Sequence, residues 1–445
     1  MVTAAYPFIE VKIDTKGLTP TAQRAPGVIA VVGKTESDEE ILKIEKPEGI
    51  SDPEFKALSK KLREQIAEAN KPIRVDTLDD IKQFKKQVVT LAQKGDPKKW
   101  VVDKITFEET DLSRSLSIGF LQDPKPSKIY GVRVVKEKDK AGKDTTNIDD
   151  YTSALSALES ADDVTFVSLA NETDVGNASS AASEGKDAKP ATNLHALKEH
   201  VELMSAQGQK RIGVAMVDPK TTKTSSYVED IKKKVDSLKS SSSRMVMIAA
   251  RGATGDAATA AMAAIAGYKP HISTVLKKIR GFKMPLESQY SPSEIRALSE
   301  ANIIPIIDPD LIVGESLHFA EGRCFTSDAD LLYIDIVRTL DDIDFKLKAG
   351  LIGLVGDARI TKMGMTRLKT STESILGVLK RQQVIANFVV DIPVLNILNI
   401  PESARNATDN RMVADARANR TVKMYVDVTY GPAVHRLLVT LAPKF

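Results

Sequence analysis

"TVKMYVDVTYGPAVHRLLVTLAPKF", residues 421–445, closes the sequence on the pattern of two short strands. Met424, Val426 and Val428 alternate with Tyr425, Asp427 and Thr429, the period of a strand with one buried face. Gly431-Pro432 breaks the run. His435, Leu437, Val439 and Leu441 then alternate with Arg436, Leu438 and Thr440. Strand backbone groups must find partners, and almost no chain follows to provide them. The other end raises the same question. "YPFIEVKID", residues 6–14, sets Ile9, Val11 and Ile13 against Glu10, Lys12 and Asp14. An aperiodic stretch follows, "TKGLTPTAQRAPG". Such strands are either ordinary edges of the chain's own sheet or arms added to a sheet edge elsewhere. The pattern alone leaves both open.

The 445 residues suffice for two or three domains. A 42% hydrophobic and 28% charged composition is that of a soluble globular protein. Lys+Arg 63 against Asp+Glu 60 leaves +3, too balanced to argue for nucleic acid or an anionic membrane. A single cysteine, Cys324, excludes an intrachain disulfide and fits assembly in a reducing compartment. Glu10, Lys12 and Asp14 interrupt the first apolar stretch, so no secretory signal is expected. "GVIAVVG" and "AATAAMAAIAG" fall far below the ~18 residues of a membrane helix.

Inward from the termini, "APGVIAVVG" (25–33) reads as a short strand buried on both faces. Two charged helices are expected next. The first, over 51–70, has Ser51 as cap, Pro53 in the first turn and Glu54 completing a capping box; the second runs over 76–95. "WVVDKITFEE", "SLSIGFLQD" and "KIYGVRVV", between 100 and 135, are expected as strands. From 151 to 280 amphipathic helices alternate with the apolar strands "DVTFVSLA", "RIGVAMVD" and "RMVMIAA", which implies a parallel sheet covered by helices. Residues 171–192 form a long polar insertion, and 136–147 an exposed loop. After 320 the texture changes to two helices, over 328–356 and 366–383, and the strand "VIANFVVDI". A connection over 399–420 leads to the closing strands, with Met424, Val426 and Val428 beside "VIANFVV". The expected class is α/β, with a small α+β unit at the C-terminal end.

No motif carries chemistry. "GVIAVVGKTE" ends in Gly-Lys-Thr, but Gly27 and Gly33 enclose five apolar residues, a strand and not a phosphate cradle. "ARGATGDAATAAMAAIAG" places Gly252 and Gly255 before a helix, where an α/β sheet can hold an anion. Asp256 would repel that anion, and an Ala-rich helix packed against the sheet accounts for the same residues. His195 and His200 are five apart, off a common helix face, and His271, His318 and His435 are isolated. No catalytic, metal or cofactor site is assigned, so the chain is read as a non-enzyme.

The order of three segments resembles the sheath proteins of contractile phage tails and contractile injection systems. "RAPGVIAVVGKTE" is similar to that family's opening strand after its arm. "GYKPHIS", then "IPIIDPDLIVGESLHFAEGRCF" and "YIDIVRTLDDIDFKLK", resembles the passage into its C-terminal domain. "LKRQQVIANFVVDI" and "VKMYVDVTYGPAVHRLLVTL" resemble its last helix and final strands. The likeness covers about 20–35 and 265–441. "IVRTLDDI" matches the family's basic stretch only loosely, and the helices of 51–95 have no counterpart.

The resemblance implies a structural subunit of stacked hexameric rings around an inner tube protein, with baseplate and terminator proteins at the ends. It implies no cofactor, nucleic acid or membrane insertion. Assembly would occur in the producing cell's cytoplasm, giving a virion tail or an injection particle. The segments would be an N-terminal arm (1–24), a first sheath domain with inserted helices (25–150), an outer α/β domain (151–320), an inner C-terminal domain (321–430) and a C-terminal arm (431–445). Phe8, Ile9, Val11 and Ile13 of one arm, and Leu437, Val439 and Leu441 of the other, would complete neighbours' sheets. Gly17, Pro20, Gly431 and Pro432 would be the hinges. Arg367, Lys369, Lys380 and Arg381 would face the tube. The rival readings are a nucleotide- or phosphate-ligand enzyme using the Gly252–Gly255 turn, and a non-contractile scaffold or capsid-like subunit.

Overall fold

The computed structural model describes residues 27–95, 99–135, 137–138, 144–145, 148–176, 192–314 and 316–435. They form two compact units, one of residues 27–341 with 432–435 and one of residues 342–431.

The larger unit is organised by β1 (Val28–Thr35). Ile29 and Val31 enter one apolar layer while Val28, Ala30 and Val32 enter the other, all without solvent exposure. Strand geometry sends alternate side chains to opposite faces, so an unbroken apolar run needs cover on both sides. An insertion follows: α1 (Asp38–Ile41), β2 (Leu42–Ile44), α2 (Asp52–Arg63), β3 (Pro72–Val75), β4 (Lys86–Lys94), β5 (Lys99–Glu108) and α3 (Asp111–Phe120). The chain returns in β6 (Lys128–Val135), parallel to β1. After the two-residue strands β7 (Glu137–Lys138) and β8 (Asp144–Thr145) come α4 (Ile148–Ala157), β9 (Phe166–Leu169), α5 (Asn193–Ala206), β10 (Ile212–Met216), α6 (Tyr227–Val235) and β11 (Met245–Ala249). Next are α7 (Ala257–Gly267), β12 (Lys278–Ile279), α8 (Pro292–Glu300), β13 (Ile303–Ile307) and β14 (Leu317–Phe319).

Nine of these strands make one sheet, in the order β12-β14-β13-β11-β10-β9-β1-β6-β3. The stretch from β13 to β6 is parallel; β3 pairs antiparallel at one edge, and β14 followed by the edge strand β12 pair antiparallel at the other. Numbered along the chain, the parallel strands lie 2-1-3-4-5-6, a doubly wound sheet that reverses direction at β1. Helices α3 and α7 cover one face; α4, α5, α6 and α8 cover the other. The expected α/β class is observed. This sheet takes strands from both sides of residue 150, and the division between the two units falls at Asp341/Asp342.

Three local readings need correction. Residues 76–95 are not a helix: they are a 3₁₀ turn, Asp80–Phe84, followed by β4. The Asp80 carboxylate accepts the backbone N–H groups of Asp76 and Thr77, and Val88-Val89-Thr90 then favour a strand that pairs antiparallel with β5. Residues 115–123 are not a strand; they lie largely within α3, which Thr110 and Ser113 start as a capping box. Leu112 and Leu116, four apart, then bury one helix face. The connection over 399–420 contains a helix of its own.

The smaller unit takes the C-terminal part of α9 (Ile334–Leu351), α10 (Lys362–Arg381), β15 (Asn387–Asp391), α11 (Pro393–Leu398), α12 (Ala407–Asn419) and β16 (Tyr425–Thr429). One cluster joins Ile343, Leu376, Leu379, Ile385 and Val390; another joins Met365, Ile392, Leu395, Leu398 and Val413.

Two fully buried arginines of the larger unit, Arg133 and Arg211, hydrogen-bond across elements. Arg133 of β6 donates to Thr35 Oγ1 (2.7 Å), to the Ala67 carbonyl (2.7 Å) and to the Asp38 carboxylate, tying the insertion to the sheet. Arg211 donates from Nη1 to His200 Nε2 at 2.9 Å. Burial first, and the Arg211 charge second, hold the His200 imidazole down at about 4. Unfolded, that group binds a proton near pH ~6.5; folded, only near 4. Its contribution is therefore complete above pH ~6.5 and is lost as pH falls from there toward 4, by on the order of 3 kcal/mol. His200→Gln keeps an acceptor for Arg211 without titrating. The difference between wild-type and H200Q urea midpoints should change across this window and be flat above it.

Candidate assembly surface

β16 owes its strand to the alternation of residues 424–429, and its register on β15 shows what that alternation serves. Phe388 opposes Val428 and Val390 opposes Val426. These four, with Met424 and Leu347, pack on Ile343, Leu376 and Leu379. The other face carries Val389 (56% exposed) and Tyr425 (53%), with Asp427 and Thr429 also exposed. Among the described residues this sheet has two strands, so β15 and β16 each have one edge without a strand partner. A lone two-stranded sheet is marginal in water; the helices beneath hold this one, and its free edges are templates for another strand.

Thr429 is the last residue of β16, and at Gly431/Pro432 the chain passes from the smaller unit to the larger. A Cβ on Gly431 would meet nothing within 4 Å, so packing does not require the glycine. His435 is then seated in the larger unit. Its Nε2 lies 2.9 Å from Ser273 Oγ and its Nδ1 3.8 Å from Glu321 Oε1, and its ring meets Tyr333 edge-on at 5.1 Å. No sequence signal announced this contact, because Ser273 is 162 residues away. The arm residues Phe8, Ile9, Val11, Ile13, Gly17, Pro20, Leu437, Val439 and Leu441 lie outside the described residues.

The four basic residues expected at the tube share α10 but not one face. At about 100° per residue, Arg367 and Arg381 fall on one side, Lys369 and Lys380 on nearly the opposite one. Lys369 approaches Glu373 at 3.9 Å and Lys380 donates to Asn387 Oδ1 at 2.9 Å. Arg367 and Arg381 are exposed.

The glycine turn before α7 serves packing. Gly252 has φ +71, and a Cβ there would lie 2.4 Å from Ser288 Oγ. Asp256 is buried and caps α7 by accepting from Thr259 N (2.9 Å); it also accepts from Ser115 Oγ (2.6 Å) and Asn171 N (3.0 Å). The helix N-terminus is thus occupied by the chain's own carboxylate. Every residue from Ala257 to Ala266 is buried. Burial pushes the Cys324 thiol up to about 12, which leaves it unreactive. Among the described residues no group of three or more His, Cys, Asp or Glu could hold a metal, and no helix is long and apolar enough to cross a membrane.

No family model and no curated protein matches this sequence. Solved structures match its fold over the full length. The anti-feeding prophage (AFP) helical sheath in the contracted state aligns with a TM-score of 0.57 and 11% identity, covering 99% of both chains. The sheath complex of an extracellular contractile injection system, PVC, also contracted, gives 0.57 and 11%, covering 99% of this chain and 98% of that one. A chain of the AFP baseplate gives 0.56 and 11%, with both fully covered. The chain therefore has the fold of contractile-sheath proteins, the group its segment order resembled.

Asp256→Ala should lower the stability of the larger unit by about 2–4 kcal/mol in urea, through loss of the cap and an orphaned Ser115 hydroxyl. Inorganic phosphate and nucleotides should leave the wild-type Tm unchanged; a saturable rise would restore the enzyme reading.

Proposed function

We propose that this chain is the structural subunit of a contractile sheath, polymerising as stacked hexameric rings around an inner tube and shortening to drive that tube through a target envelope. The observation that carries this reading is the full-length likeness to two contracted sheaths, joined with a two-stranded sheet whose outer edges have no strand partner among the described residues. In this reading Phe8, Ile9, Val11 and Ile13 of one neighbour, and Leu437, Val439 and Leu441 of another, extend that sheet with their apolar faces on the helices. Main-chain hydrogen bonds then link the copies whatever the tilt of the larger units. A heterologous link of this kind propagates into an open helix instead of closing a dimer.

Contraction is a rigid-body change between two packings of folded units. A small preference per subunit, summed over many subunits, supplies the work, with no nucleotide or other cofactor and no catalytic residue. Gly17, Pro20, Gly431 and Pro432 act as hinges. The tube is met by α10, through Arg367, Lys380 and Arg381, which are exposed, and the half-buried Lys369. Partners are further copies of the chain, the tube protein, and the baseplate and terminator proteins at the ends. Assembly takes place in the producing cell's cytoplasm, and the product is a virion tail or an injection particle.

Electron microscopy of the purified protein should show long, striated, hollow polymers of one diameter; closed shells would indicate a static scaffold instead. Removing residues 1–16 should leave a folded monomer that does not polymerise. Val11→Asp with Ile13→Asp should act in the same way, because it puts charge on the buried face. A truncated chain that fails to fold would place that strand in the chain's own core.

A further inference from the structure

Between the last strand of the smaller unit and the C-terminal ten residues, one side chain is held by three others, Ser273, Glu321 and Tyr333. His435 is 19% exposed although its neighbours Pro432, Ala433 and Val434 are open to solvent. The seat that receives it is rigid. Thr274, next to Ser273, is buried, and Gly322, next to Glu321, lets it approach so closely that a Cβ there would sit 2.5 Å from Thr274 Oγ1. The Ile334 N–H donates to the Gly322 carbonyl at 3.0 Å, and the Cys324 N–H to that of Leu332 at 2.7 Å, which fixes Tyr333 against the same segment. Glu321 is buried with Arg323 Nε at 3.6 Å and His435 Nδ1 at 3.8 Å, so its carboxylate lies between two potential cations. Ser273 Oγ is oriented by the Val275 N–H at 3.3 Å. The guanidinium of Arg323 stacks 5.8 Å from the Tyr333 ring centre.

We propose that His435 is a clasp that roots the C-terminal arm on the larger unit, so that Gly431-Pro432 is a hinge between the two units and the arm itself begins only after residue 435. This rests on the sheath reading for its meaning. With residues 436–445 added to a neighbour's small sheet, the link would run from the larger unit of one copy to the smaller unit of the next. Ten extended residues reach about 33–36 Å from the clasp. Motion of a larger unit would then be passed directly to the neighbour's sheet, while Gly431 lets the chain's own smaller unit keep its place.

The test uses the full-length monomer at low concentration, in the absence of polymer. Trypsin cuts after Arg436, and a site one residue from a held side chain is cleaved only when the clasp opens. His435→Ala should raise the rate of that cut, read by intact mass, by about 5-fold or more, since losing one hydrogen bond is worth on the order of 1 kcal/mol. Ser273→Ala should raise it less, His435→Gln should keep part of the protection, and cleavage within 342–431 should not change. Equal rates in wild type, H435A and S273A, all with the same melting temperature, would overturn the clasp. Because no polymer is needed, a protected Arg436 in a chain that never polymerises would leave the clasp standing and defeat the sheath reading instead.

Discussion

Everything in the larger unit depends on the first five residues of β1 having no side chain free to face water. Val28 to Val32 are all fully buried, and Ile29 with Val31 point opposite to Val28, Ala30 and Val32. A strand of this kind can be satisfied only in the interior of a sheet covered on both faces. That requirement calls up the flanking parallel strands β6 and β9, and helices on either side to close the layers. The insertion after β1 is accommodated because Arg133 binds it back, donating to Thr35 Oγ1, the Glu36 and Ala67 carbonyls and the Asp38 carboxylate.

The smaller unit obeys the opposite logic. Its sheet covers only one face, with Val426 and Val428 inward and Tyr425, Asp427 and Thr429 outward, and its edges are unpaired among the described residues. A protein that had only to stay soluble would block such edges with charge, proline or a bulge. Here the open face carries Val389 and Tyr425 beside the charge of Asp427. The large unit's direction-reversing sheet is covered on both faces, whereas the small unit's sheet leaves one face open.

The legible part of the sequence was wherever periodicity and burial act on the same residues. β1, β6, β9, β10 and β11, and the pairing of residues 424–429 with "VIANFVV", could be read directly. Two elements were misread because tertiary context overrode local preference. "SLSIGF" has the β-branched and aromatic look of a strand, yet a cap at Thr110 and the core demand of Leu112 and Leu116 make it helical. "KKQVVTLAQK" has charged residues at helical spacing, yet β5 offers it a ladder of nine registered residue pairs. Of the candidate assembly surface, the arm residues lie outside the described residues. The four basic residues on α10 were legible as charges but not as faces, since a helix separates Lys369 from Arg367 by about 200°. The seat of His435 was invisible, because Ser273, Glu321 and Tyr333 come from three separate segments.

The same reasoning decides how the glycine turn before α7 should be weighed. A helix N-terminus offers unpaired N–H groups, and something must satisfy them. In a ligand site that something comes from outside; here Asp256 takes the Thr259 N–H while its second oxygen draws in Ser115 and Asn171. A carboxylate shared among α7, α3 and the loop after β9 locks three elements that all pack beside β1. Exchanging it for a phosphate would forfeit those contacts and bring a second negative charge to the same point. The turn therefore belongs to the rigidity of the larger unit. Such rigidity is what a body must have if it is to rotate as a whole while its neighbours hold it by strands.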